Sequence, residues 1–371
     1  MRAGFNWWWL LPIATLAVSV LVALGIVVFQ LAQGAHSEMA ANCSGALAND
    51  YSCHQERYQG LVRDYGVETA FTELKDEDEK NDFVHRQCHQ LTHVIGRAAA
   101  QLYGDIPSSY SKGDAFCGMG YYHGVMEAVV ANIGADKVME EANTLCADLR
   151  EQEEHSFAHR DCVHGLGHGL LSVSGENELF QGLQTCDTLM DEWEKENCYE
   201  GAFMENTLTA RNNPNHPSSK YLKADQPLYP CTNVQDRYKN SCYRYQVGYA
   251  LNLYENNFRK VFELCSTTAE EDFRPVCYEG LGWYNAGGAI YNRSRTTDSG
   301  RDESTSKRCR WGNDEAQSNC IVGAAKFFVK HLSYEPAKQL CESFDANFSD
   351  TCLRAADDYY QSGATNRPLS T

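Results

Sequence analysis

The sequence predicts an all-α protein, with an N-terminal single transmembrane helix followed by a disulfide-stapled α-solenoid of helix–turn–helix repeats. A long uncharged segment lies near the N-terminus, the 16 cysteines fall into regularly spaced pairs, and similar sequence recurs around those pairs. The predicted regions are a cytoplasmic N-terminus with its membrane anchor (1–35), a cysteine-rich helical repeat ectodomain (36–361) and a disordered tail (362–371).

The uncharged segment runs from Trp7 to Phe29. As a helix it would be about 34 Å long, enough to cross a hydrocarbon core of about 30 Å. Arg2 is the only basic residue before it, and no Lys or Arg follows until Arg57. The positive-inside rule therefore places the N-terminus in the cytoplasm and the following domain outside, in the periplasm or the extracellular space. A cleaved signal peptide is the alternative, but its apolar region spans only about 7–15 residues.

All 16 cysteines lie in the predicted exported part. An even number of cysteines in an oxidising compartment predicts disulfide bonds. Neighbouring cysteines, most of them 11 or 12 positions apart, are the simplest pairs. The predicted pairs are Cys43 with Cys53, Cys88 with Cys117, Cys146 with Cys162, Cys186 with Cys198, Cys231 with Cys242, Cys265 with Cys277, Cys309 with Cys320, and Cys341 with Cys352.

The sequence around these pairs repeats every 32 to 45 residues. This period is typical of helix–turn–helix units that stack into a solenoid. A glycine often stands three positions after the second cysteine of a pair, which predicts that two backbones pass there too closely for a side chain. These glycines are Gly120, Gly165, Gly201, Gly280 and Gly323. Residues 292–307 have almost no apolar side chain and predict a loop that interrupts the repeats.

Histidines are concentrated in one part of the chain, where eight of the 12 lie between His85 and His168. Histidines four positions apart on a helix share one face, and imidazole binds Zn, Cu, Fe and Ni. Two histidines on different helices could also bind haem b. A transition metal or haem b is therefore the candidate cofactor, but the interpretation that we favour is that the histidines make equivalent packing contacts in successive repeats. The candidate ligands are His93, His123 and His168, followed by His89 and His164.

The net charge of −18 excludes nucleic acid as a partner and favours basic exported proteins. The motifs H-E-x-x-H, G-x-S-x-G and the Walker loop are absent. Our first hypothesis is a membrane-anchored interaction or scaffold protein that docks other membrane or exported proteins. The alternative is a histidine-rich metal- or haem-binding protein for redox chemistry or metal handling, and the third hypothesis is a metal-dependent enzyme.

Overall fold

The computed structural model describes residues 43–174, 179–208, 219–290 and 298–362. Within these ranges the regular secondary structure is helical and contains no strand, which confirms the predicted all-α class for this part of the chain. A short 3-10 helix, Gly45–Leu47, precedes the α-helices. The α-helices are α1 (Tyr51–Tyr65), α2 (Val67–Lys80), α3 (Asp82–Tyr103), α4 (Ile106–Tyr110), α5 (Gly120–Ile133), α6 (Ala135–Leu145), α7 (Ala147–Gln152), α8 (Phe157–Ser174), α9 (Leu179–Cys186), α10 (Glu192–Leu208), α11 (Asp236–Leu253), α12 (Phe258–Ser266), α13 (Arg274–Ile290), α14 (Asp298–Cys309), α15 (Asp314–His331), α16 (Tyr334–Glu342) and α17 (Ala346–Gln361).

The membrane anchor predicted for residues 1–35 lies outside the described residues, as does the tail from residue 363. Among the helices that the structure describes, none combines the length and the apolar composition that a membrane crossing requires.

The chain divides into two compact units, one ending at Gln87 and the other beginning at Cys88. In the first unit, α1 packs against α2. Three side chains of α1 surround the Glu77 carboxylate of α2. Tyr58 donates a hydrogen bond of 2.8 Å to it, Arg57 forms an ion pair with it, and His54 Nδ1 lies 3.6 Å from it. This buried polar contact joins the two helices.

In the second unit, the long helices contact one another in chain order. Helix α5 packs on α8, α8 on α10, α10 on α11, α11 on α13, α13 on α15, and α15 on α17. The shorter helices α9, α12 and α16 each pack against the long helix that follows them. Each short helix and the next long helix therefore form the helix–turn–helix pair that the cysteine spacing predicts.

Burial differs between the short and the long helices. Helix α12 buries Phe258, Val261, Phe262 and Cys265, a spacing that places them on a single face. Helix α11 instead has buried residues on every side between Tyr238 and Leu251. The long helices are therefore the core elements of the second unit, and the short ones cover them.

All eight predicted disulfide pairs are present, with Cα–Cα distances between 5.3 and 5.9 Å. These distances lie in the range that a disulfide requires. The typical bond links the end of a short helix to the next long helix, as Cys265 of α12 does with Cys277 of α13. Closing a loop of about 12 residues stabilises each pair by roughly 3 kcal/mol in the chain-entropy model.

We predicted a loop for residues 292–307. This prediction is wrong from Asp298 onward, because helix α14 begins there. Hydrophobic patterning fails here because α14 buries small polar side chains, among them Thr305. The backbone carbonyl of Thr305 accepts a hydrogen bond of 2.9 Å from the Asn285 side chain of α13. Lys307 and Arg308 lie in the last turn of α14, where cations favour the helix dipole.

The recurring glycines lie where neighbouring long helices cross. A Cβ atom at Gly280 of α13 would overlap the backbone carbonyl of Arg244 in α11, and one at Gly323 of α15 would overlap that of Glu279 in α13. Gly282 of α13, which the cysteine spacing does not mark, meets the backbone carbonyl of Cys320 in α15 in the same way. The two backbones therefore touch directly. The prediction that the glycines mark close helix approaches is confirmed.

We expect Gly282→Ala to destabilise the fold by on the order of 1–3 kcal/mol or more, because α13 and α15 would have to separate. Gly288 of the same helix is a matched control, since it is exposed and only Arg308 Nη1 comes within 4.0 Å of a Cβ placed there. Gly288→Ala should be neutral or stabilising by up to about 1 kcal/mol. Guanidinium unfolding of both variants measures the difference, and equal effects would contradict the helix crossing.

Candidate metal centre

All five histidines that the sequence singles out lie together in the second unit. His89 and His93 are on α3, His123 is on α5, and His164 and His168 are on α8. Neighbouring rings have centroids 4.5 to 5.9 Å apart. All except the half-buried His89 are at most 3% exposed. We call these five residues the histidine cluster.

The first pair, His89 and His93, has an unusual arrangement of ring nitrogens. His89 Nδ1 lies 2.8 Å from the backbone carbonyl of Cys117, and His93 Nδ1 lies 2.6 Å from the carboxylate of Glu127. Both acceptors require that Nδ1 carries the proton. In the neutral form of both rings the two Nε2 atoms carry the lone pairs, and they face each other at 3.1 Å.

Glu127 of α5 is buried and fixes the orientation of His93. Burial would raise the pKa of its carboxyl, but His93 and Arg97 lower this pKa below its usual range. The Arg97 guanidinium donates a hydrogen bond of 2.5 Å to the second carboxylate oxygen. Glu127 is therefore ionised, and it holds both α3 side chains against α5.

His123 occupies the centre of the histidine cluster. Neither its Nδ1 nor its Nε2 has a hydrogen-bond partner among the residues that the structure describes. Burial, followed by the four surrounding imidazoles, lowers the pKa of His123 well below its ordinary value. The ring is therefore neutral, which is the form in which histidine binds metals.

His164 and His168 form the second pair, on α8. His168 Nδ1 lies 2.8 Å from the carboxylate of Glu205 on α10, so its Nε2 is the nitrogen left for another partner. Within the described structure, His168 Nε2 and His164 Nδ1 are both buried without a hydrogen bond. Burial, and then the nearby Arg160, His168 and Lys330, lower the pKa of His164.

Two groups of three within the histidine cluster have the spacing of a metal site. In the group of His89, His93 and His123, one nitrogen from each ring lies within 4.8 Å of the others. The group of His123, His164 and His168 meets the same condition. His123 belongs to both groups. Because all 16 cysteines are in disulfides, imidazole and carboxylate are the donors at hand.

Beside the histidine cluster, a row of alternating charges crosses five helices. Arg160 of α8 pairs with Glu200 of α10 at 3.1 Å, and Glu200 also pairs with Arg244 of α11. Arg244 pairs with Glu279 of α13 at 3.2 Å, and Glu279 pairs with Lys326 of α15 at 3.0 Å. Each charge in this row has an opposite neighbour, so the row joins the long helices without leaving an isolated charge.

Lys330 and Asp161 differ from the charged row because neither is fully paired. Lys330 is 4% exposed, and its Nζ lies 5.7 Å from the centre of the Trp283 ring. Burial, with Arg160, lowers the pKa of Lys330 to about 7, against the opposing effect of Asp161 and Glu200. Asp161 is fully buried, and its Oδ2 has no hydrogen bond within the described residues. Burial raises the pKa of Asp161.

Sequence reasoning missed Glu205, Asp161 and Lys330. It also missed the charged row, although the sequence contains a signal for it. The position two residues after the second cysteine of a pair is occupied by His164, Glu200, Arg244 and Glu279 in four successive repeats. A change of polar type at one repeat position indicates a shared polar face, and the structure places all four side chains in this region.

Comparison of this chain with protein-family models, with curated proteins and with solved structures finds no match.

We expect Lys330→Met to stabilise the fold most below about pH 7. There the folded state must hold a buried ammonium, whereas the unfolded chain keeps its proton up to a pKa of about 10.4. The gain, on the order of a few kcal/mol, should shrink as pH rises from 7 towards 10. Guanidinium unfolding at pH 6 and pH 9.5, with EDTA present, measures it.

Lys326→Met is the control for this measurement, because Lys326 pairs with Glu279. Its loss should lower stability at both pH values. If Lys330→Met changed stability equally at pH 6 and pH 9.5, the assignment of a depressed Lys330 pKa would be wrong.

Proposed function

We propose that this chain is a membrane-anchored, extracytoplasmic helical-repeat protein that binds a first-row transition metal through its histidine cluster. The observation that carries the proposal is the pair of facing Nε2 atoms of His89 and His93, 3.1 Å apart. Two lone pairs at this distance repel each other unless a cation lies between them.

The distance suits two ligands of one metal ion. Zn–N bonds are about 2.0–2.1 Å long, so two nitrogens on one ion lie about 2.9 Å apart at a right angle and about 3.4 Å apart at the tetrahedral angle. The separation of 3.1 Å lies between these values. His123 supplies a third nitrogen within 4.8 Å of the other two.

The surroundings of the two rings also favour a metal. A ligating histidine usually donates its second N–H to a carboxylate or a backbone carbonyl, which fixes the ring and its tautomer. His93 has the Glu127 carboxylate in this role, and His89 has the Cys117 carbonyl. A proton on one ring would also join the two nitrogens, and metal binding distinguishes these alternatives.

The packing of the rings favours single ions over haem b. The rings of the histidine cluster are in direct contact, with centroids as little as 4.5 Å apart. A porphyrin needs a flat slot between its two axial ligands, whereas a single ion needs only the space where ring nitrogens converge. Imidazole ligands suit Zn, Cu, Fe and Ni.

The repeat architecture that we propose around this site is an α-solenoid with a concave inner face. The long helices contact one another in sequence order from α5 to α17. Lys330 on α15 nevertheless lies close enough to α8 to be affected by the charges of Arg160 and Asp161. This proximity of distant members of the series supports a curved array.

Docking of other membrane or basic exported proteins is the second function that we propose. The net charge of −18 favours a basic partner, through an attraction that weakens as salt rises. Curved helical arrays commonly use their concave surfaces for binding. This role is compatible with a metal site, and it becomes the first proposal if the chain binds no metal.

We expect the full-length chain, purified with its disulfides formed and equilibrated with Zn(II), to retain tightly bound zinc after desalting. His89→Gln/His93→Gln should lose about one ion per chain relative to the wild type, because two ligands of one site are removed. Elemental analysis by mass spectrometry measures the ratio of zinc to protein.

His85→Gln is the control, because His85 bonds to Asp78 and lies outside the histidine cluster. It should bind as much zinc as the wild type. Circular dichroism and thermal unfolding check that each variant is folded. A folded wild type that retains no zinc, and no copper or cobalt in the same assay, would end the metal proposal.

A further inference from the structure

We propose that the histidine cluster holds two metal ions, bridged by the ring of His123. One ion is bound by His89, His93 and His123, and the other by His123, His164 and His168. This inference rests on the proposed metal-binding function and extends it from one ion to a bridged pair.

The state of the His123 ring points to two ions and not one. It is 3% exposed, and both its nitrogens lack hydrogen-bond partners within the described structure. An unsatisfied buried polar atom destabilises the folded state. A single ion would bind one nitrogen of this ring, and the second nitrogen would still be unsatisfied. Two ions, one on each nitrogen, satisfy the whole ring.

Two further nitrogens, both on α8, point to a second ion. His164 Nδ1 and His168 Nε2 are also buried and unpartnered. With one nitrogen of His123, the two rings form a three-ligand group of their own, within 4.8 Å. An ion shared by His89 and His93 leaves these two nitrogens unsatisfied, so the second group calls for an ion of its own.

The charges near the two groups match this arrangement. The first group has the Glu127 carboxylate bound to His93 Nδ1 at 2.6 Å, and the second has the Glu205 carboxylate bound to His168 Nδ1 at 2.8 Å. For each ion, one ligating histidine therefore donates its other N–H to a carboxylate, as ligating histidines usually do. The two carboxylates and the bridge each carry a negative charge that opposes the charge of the ions, and Arg97 shares the charge of Glu127.

A neutral His123 ring has one N–H and one lone pair. The first ion uses the lone pair, and the second displaces the remaining proton, which passes to solvent. The ring then binds both ions as an imidazolate with a single negative charge. No oxidant or reductant takes part.

Copper(II) is the probe for the test, because each ion carries one unpaired electron and an imidazolate bridge couples two of them. The full-length wild type should bind about two Cu(II) per chain, with an electron paramagnetic resonance intensity far below that of two isolated ions. His164→Gln/His168→Gln should retain about one Cu(II) with the full intensity of an isolated ion. The His85→Gln control should behave as the wild type does.

His123→Gln tests the bridge itself, since it removes the ring that both groups share. Any copper it retains should give the full intensity of uncoupled ions. Saturation of the wild type at one ion per chain would overturn the two-ion inference but leave the proposed function standing. Two ions with full, uncoupled intensity in the wild type would overturn the bridge. A wild type that binds no metal would end both proposals.

Discussion

The second unit depends on direct contact between the backbones of neighbouring long helices. Gly120 and Gly124 of α5 show what this contact does for the histidine cluster. A Cβ at Gly124 would overlap the backbone of His93, and one at Gly120 would overlap Thr92 and the carbonyl of His89. With glycine at both positions, α5 approaches α3 closely enough for His123, which lies between them in sequence, to reach His89 and His93. A side chain at either position would move the candidate ligands apart.

Between the closely packed long helices lie charged side chains, and these must pair with one another. In the charged row, Arg160, Glu200, Arg244, Glu279 and Lys326 pair in succession, so burial there leaves few isolated charges. The histidine cluster differs, since four of its ring nitrogens have no partner within the described residues. Buried polar groups in proteins are almost always hydrogen-bonded. This contrast is the reason why we propose a ligand for the histidine cluster and a structural role for the charged row.

Repeat spacing predicted much of this arrangement. It indicated the disulfide pairs, the close approaches at glycine and the five histidines that meet, because the glycines and histidines recur at equal or nearly equal distances from the cysteines. It did not indicate Glu205 or Glu127 as the carboxylates that orient His168 and His93, since each contact joins two helices across a crossing. Helix α14 was missed for a related reason. Its buried side chains include Ser304, Thr305 and Ser306, and a carbonyl of this helix accepts a hydrogen bond from α13, so hydrophobic periodicity does not predict it.

The sequence by itself determined the helical class, the pairing of cysteines and the identity of the candidate ligands, because these depend on local spacing along the chain. Only the tertiary structure decided how those ligands combine. Which ring nitrogens face one another, which are held by a carboxylate and which have no partner depends on how α3, α5 and α8 cross. The central place of His123 follows from that crossing, since no spacing along the chain distinguishes a histidine shared by two groups from a histidine that belongs to one.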